Sequence, residues 1–141
     1  PLTKNPGLDF SFSGLKTHTM NTLRKLPTSS DQDRADIALA FQEAVVDTIQ
    51  IKCARALEKT GYPTLVLAGG VSANKHLRAT LDRFSKERHI DIKYPELKFC
   101  TDNGAMIAIA GLLRKAQWSD CDHTIAARPR WPMNELSGLN P

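Results

Sequence analysis

From Thr64 to Asn74 the chain reads Thr-Leu-Val-Leu-Ala-Gly-Gly-Val-Ser-Ala-Asn, and this stretch limits the possible folds more than any other. Thr64–Ala68 is a continuous apolar run held between Pro63 and Gly69. It is short, so it reads as a buried strand, parallel to its neighbours. Gly69-Gly70 forms the turn, and Asn74–Glu87 has the pattern of a helix. Glycines after a buried strand let the backbone turn sharply and leave room for a flat ligand. The helix start that follows offers unpaired N–H groups and a partial positive charge. In α/β proteins such turns sit at the carboxyl ends of strands, where ligands bind. Two readings stay open on pattern alone: a nucleotide loop, or a tight connection with Ser72 or Asn74 as helix cap. The turn is neither a GxGxxG nor a GxxxxGK[ST] loop.

The rest of the chain alternates helix and strand patterns around this unit, which argues an α/β fold. Leu8–Phe12 alternates like a short strand, Ser13-Gly14 breaks it, and Leu15–Lys25 follows as a helix. After the loop Pro27–Ser30, Asp31 or Asp33 caps a long helix that stops at Gly61. Its apolar positions from Ile37 to Ala54 follow helical spacing, and its length is on the order of 40 Å. Ile90–Tyr94 reads as a second strand. Asp102 or Asn103 caps a helix over Gly104–Lys115, small-sided and apolar. From about residue 116 to 141 the pattern dissolves into an irregular tail containing Arg, Pro and Trp.

With 19 basic and 15 acidic residues the chain carries +4, which permits a nucleic-acid partner without demanding one. No apolar run is long enough to cross a bilayer, and no secretory signal opens the chain. The opening residue is Pro1, so the chain reads as a fragment lacking its N-terminal half. Three cysteines, Cys53, Cys100 and Cys121, form no CxxC pair and argue against a disulfide framework or zinc knuckle; Cys53 reads as a core residue. Reduced thiols and no signal point to the cytoplasm. The histidines His18, His76, His89 and His123 form no HExxH or HxxxH pair.

Two further clusters could carry chemistry. Asp102, in Phe99-Cys100-Thr101-Asp102-Asn103-Gly104-Ala105, is either a helix cap or one ligand of a metal near a phosphate. Arg128-Pro129-Arg130-Trp131-Pro132 joins two guanidinium groups to a ring, which suits a phosphate and a stacked base, or a rigid tail packed on its own domain.

Asp9–Thr17, Ala68–Leu77, Phe99–Ala108 and Arg128–Pro132, in this order and spacing, resemble the C-terminal part of the bacterial tRNA N6-adenosine threonylcarbamoyltransferases. The resemblance implies a ribonuclease-H-like lobe of the actin/sugar-kinase/Hsp70 (ASKHA) superfamily. It implies that Gly69, Gly70 and Asn74 face an adenylate (threonylcarbamoyl-AMP, or ATP/AMP). Asp102 corresponds to a ligand of one divalent metal, iron or zinc, whose other ligands are histidines of an HxxxH pair absent here, so the metal site would be incomplete. Ser13, Lys16, Arg128 and Arg130 become candidate contacts to tRNA or phosphate. The implied reaction transfers the threonylcarbamoyl group to N6 of the tRNA adenosine beside the anticodon. The isolated chain would lack turnover, and no catalytic residue is assigned within it. The implied partners are tRNA, a paralogous scaffold subunit and a small ATPase, with no membrane. Two alternatives remain: a sugar- or acetate-kinase-like lobe, and a non-catalytic scaffold paralogue. If the helix over Gly104–Lys115 normally packs on a first lobe, its apolar face would drive a non-native dimer of the fragment.

Overall fold

The computed structural model describes residues 2–28, 30–117, 129–132 and 135. The chain divides into two compact units, Pro1–Thr101 and Asp102–Pro141. Within the described residues of the first unit, helix α1 (Ser13–Lys25) is followed by the long helix α2 (Asp31–Thr60). Strand β1 (Thr64–Val66), helix α3 (Lys75–Arg88) and strand β2 (Asp91–Lys93) form a β-α-β crossover. The second unit opens with helix α4 (Gly104–Leu113).

β1 and β2 pair in parallel, with Thr64 opposite Asp91, Leu65 opposite Ile92 and Val66 opposite Lys93. The ladder continues at both ends: the Leu67 N–H donates to the Lys93 carbonyl at 3.0 Å, and the Asp91 N–H to the Pro63 carbonyl at 2.8 Å. The expected parallel strand is therefore present, but it is not buried. Leu65 is half-buried and Val66 is 69% exposed. Successive side chains on a strand point to opposite faces. Here one face meets the helices: Leu67 and Ile92 pack on the core, while Val66 lies on the other side.

That core is formed by Val46, Leu77, Leu81 and Phe84, with Ile49, Ala54, Leu57, Ile90 and Tyr94 packed around them. It joins the second half of α2, the inner face of α3 and the two strands. Cys53 belongs to the buried interior as expected, and burial pushes its thiol pKa above the ordinary value.

The helix ends correct several expectations. Ser30, not Asp31 or Asp33, caps α2. Its hydroxyl accepts from the Asp33 N–H at 3.1 Å, while the Asp33 carboxylate accepts from the Ser30 N–H at 2.9 Å, a reciprocal capping box. The far end closes at Gly61 with φ 70°, as the glycine position demanded. Ser13-Gly14 does not break the chain but starts α1; a glycine in the first turn costs little because the N–H groups there lack helical partners anyway. Leu8–Phe12 forms no strand: a strand needs a ladder partner, and among the described residues only β1 and β2 pair. Instead Phe10 and Phe12 stack with ring centroids 6.1 Å apart. This N-terminal segment is tied to α2 by two cations. The buried Lys52 ammonium donates to the carbonyls of Asn5 and Gly7, and Arg55 donates to those of Thr3 and Asn5.

Helix α4 ends at Leu113 rather than Lys115, and a 3-10 turn follows over Lys115–Gln117. None of its residues is buried; Ile107 is 75% and Leu112 65% exposed. Of the tail, Trp118 to Arg128 lie outside the described residues, Arg128 among them.

Candidate functional site

The glycine turn leaves β1 at Leu67 and reaches α3 through a single 3-10 turn, Gly70–Ala73. Gly69 has φ 88° and ψ 173°, a conformation essentially restricted to glycine. A Cβ built there meets nothing within 4 Å, so the backbone angle and not crowding demands the glycine. Gly70, by contrast, has no positive φ. Both glycines are exposed.

Three side chains fix the turn. Ser72 is buried, and its hydroxyl donates to the Gly69 carbonyl at 2.6 Å, closing the loop on itself. Arg78, one turn into α3, reaches back. Its Nε donates to the Ser72 carbonyl at 2.6 Å and its Nη2 to the Pro95 carbonyl at 2.8 Å, with the guanidinium 4.8 Å from the centre of the Tyr94 ring. The buried Cys100 thiol lies 3.3 Å from the Ser72 hydroxyl and 3.4 Å from Arg78 Nη2. The segment after β2 is thereby locked to the glycine turn. Burial, then the hydrogen bond to Asp82 at 2.8 Å, pushes the Tyr94 phenol above its ordinary range, so it stays protonated.

Asn74 is both the cap of α3 and a wall of a cavity. Its Oδ1 accepts from the Leu77 N–H at 2.9 Å, so the cap reading of Asn74 holds; Ser72 is not the cap. Its Nδ2 donates to Gln42 Oε1 on α2 at 3.2 Å. The cavity, about 240 Å³, is lined by Phe41, Gln42, Val45, Val46, Val71, Asn74 and Leu77. It is larger than the ~150 Å³ void that takes up benzene, yet below the ~300 Å³ at which whole small-molecule sites begin. Its lining is apolar apart from the amides of Gln42 and Asn74, which bond each other.

Sequence reasoning singled out Gly69, Gly70 and Asn74, and missed Gln42, Phe41 and Arg78. A signal existed for Gln42: with Val45, Val46 and Ile49 it completes an i, i+3, i+4, i+7 set, a polar residue inside an apolar stripe.

The other candidates stand apart. Asn103 caps α4, accepting from the Met106 N–H at 3.1 Å, so Asp102 is not the cap; it is exposed at the opening of the second unit. Among the described residues no group of three or more His, Cys, Asp and Glu could hold a metal. Asp102 is a single carboxylate, short of the set a divalent metal needs. The Ser13 hydroxyl pairs with that of Ser11 at 3.2 Å. Lys16 borders an apolar groove of about 510 Å³ between α1 and α2, beside Met20, Leu23, Ile37 and Phe41. Arg130 is exposed next to Trp131. No helix of the described residues is long and apolar enough to cross a membrane.

The family model described as tRNA N6-adenosine threonylcarbamoyltransferase matches residues 1–109 of the 141, a span that holds the long helix, the glycine turn and the start of α4. The match covers more than half of the chain, which therefore belongs to the tRNA N6-adenosine threonylcarbamoyltransferase family.

Proposed function

We propose that this chain is the C-terminal, ribonuclease-H-like lobe of a two-lobed enzyme, and that its glycine turn and cavity hold the adenine nucleotide half of threonylcarbamoyl-AMP. The family is one of transferases that modify tRNA. In the reaction proposed here, N6 of the tRNA adenosine beside the anticodon attacks the carbamoyl carbon. A carbon–nitrogen bond forms, the bond from that carbon to the phosphate oxygen breaks, AMP departs, and the N6 proton passes to solvent. The amine needs no base before the new bond has formed. The work left to this lobe is orientation, since a positioned adenylate turns a two-body encounter into a unimolecular one.

The observation that carries the reading is Asn74, which follows the glycine turn and lines a cavity of about 240 Å³ together with Val71; Gly69 and Gly70 shape the turn and do not line the cavity. Asp102 is proposed as one ligand of a metal completed by residues outside this chain. Lys16, Ser13, Arg128 and Arg130 are proposed tRNA contacts, which Lys16→Ala tests by flattening the salt dependence of tRNA binding by about one phosphate contact. The proposed setting is cytoplasmic, with a paralogous subunit and a small ATPase as partners.

Gly69→Ala tests the turn. The added methyl has room, so its effect is confined to the backbone angle, which costs about 1–3 kcal/mol. In the full-length enzyme the variant is expected to raise KM for threonylcarbamoyl-AMP while KM for tRNA holds. Unchanged adenylate kinetics would contradict the reading.

A further inference from the structure

The polarity of Asn74 follows from its cap bond. A backbone N–H can only donate, so the side-chain atom it meets at 2.9 Å must be the carbonyl oxygen. The amide nitrogen is then the atom directed at Gln42, and since that nitrogen can only donate, Gln42 must present its own oxygen at 3.2 Å. The chain of assignments runs from the N-terminus of α3 across to α2 without a free choice. One amide hydrogen of Asn74 is committed to Gln42. The second meets no acceptor among the described residues, and Asn74 lines the cavity.

We infer that Gln42 is a positioning residue. It holds Asn74 so that the second N–H of that amide is left for the cavity, and Asn74 selects a ligand edge that accepts a hydrogen bond. On an adenine nucleotide such acceptors are the ring nitrogens and the ribose oxygens. The inference rests on the nucleotide reading of the cavity and adds a direction to it: Asn74 donates a hydrogen bond to the ligand through its amide nitrogen, while its oxygen is turned to the start of α3 by the cap bond. What position 42 must supply is an acceptor. A glutamate does that as well as glutamine; a methionine of similar length does not. Position 42 is half-buried on α2, and Asn74 keeps its cap bond to Leu77 whichever residue stands there.

The test is calorimetric titration of AMP into the full-length protein and its variants Gln42→Glu, Gln42→Met and Asn74→Asp, with melting temperatures measured alongside. Asp caps a helix as well as Asn but cannot donate. Gln42→Glu is expected to bind AMP within about twofold of the parent, and Gln42→Met about three- to tenfold more weakly, the range of one lost hydrogen bond. Asn74→Asp is expected to lose more than Gln42→Met at an unchanged melting temperature. In the parent, the side-chain amide NMR signal of Asn74 should shift on addition of AMP. Gln42→Met binding AMP like the parent, while Asn74→Asp binds weakly, would overturn the role of Gln42 alone. Asn74→Asp binding AMP like the parent, with no shift of its amide signal, would overturn the nucleotide reading beneath it.

Discussion

Single residues fix the glycine turn, and Arg78 is the clearest case. Its guanidinium ties the carbonyls of Ser72 and Pro95 together and lies against the Tyr94 ring, so one side chain joins the turn, α3 and the segment leading to Cys100. Arg78→Met keeps the stem but removes both charge-assisted bonds. It is expected to lower stability by about 1.5–3 kcal/mol in urea unfolding; a loss within experimental error would mean that solvent replaces these bonds. Asn74 and Gly69 were legible in the sequence because glycine after a strand and Asn before a helix have few local roles. Arg78 and Gln42 were not. Their partners lie 17 and 32 positions away in the chain, and no local pattern announces such pairs.

Local chemistry decides some elements of this chain, and a distant partner decides others. The long helix α2, its glycine stop and the strand–turn–helix unit match the expected pattern within a few residues, since helical spacing and capping are local properties. The strand expected at Leu8–Phe12 failed because alternation gives a strand a face but no ladder partner. The start of α2 shows a different lesson: Ser30 outcompetes the aspartates as cap because the third helical residue, Asp33, returns a bond to the Ser30 N–H. The hydroxyl and N–H of Ser30 hold the Asp33 carboxyl below the usual carboxylate pKa. A lowered folded pKa stabilises the helix above the unfolded pKa and stops doing so as pH falls through the lowered value. The Ser30 and Asp33 N–H groups, the two that the capping box bonds, are therefore expected to be protected from exchange at neutral pH and to lose that protection in acid, below the ordinary range of aspartate. Ser30→Ala should remove that acid step, and an identical pH profile in Ser30→Ala would refute the capping account.

At the scale of the molecule, two units are present, and the sequence marked the second as apolar without saying what covers it. Helix α4 leaves Ile107, Ile109, Leu112 and Leu113 exposed. An apolar helix of that kind favours association. The isolated chain is expected to show more than a monomer's mass in light scattering, and Ile107→Lys with Leu112→Lys to restore the monomer; a monomeric parent chain would contradict this. The α/β pattern of the first unit was legible because β1, α3 and β2 lie consecutively in sequence, whereas the cavity wall supplied by α2 was not. In the proposed function, Asn74 and the glycine turn hold the adenylate for transfer of the threonylcarbamoyl group to tRNA. The most direct test measures N6-threonylcarbamoyladenosine by mass spectrometry in tRNA from cells lacking their own transferase, supplied with the full-length protein or with its Asn74→Asp variant at equal abundance. The parent is expected to restore the nucleoside and Asn74→Asp is expected not to. Equal levels of the modified nucleoside in both would contradict it.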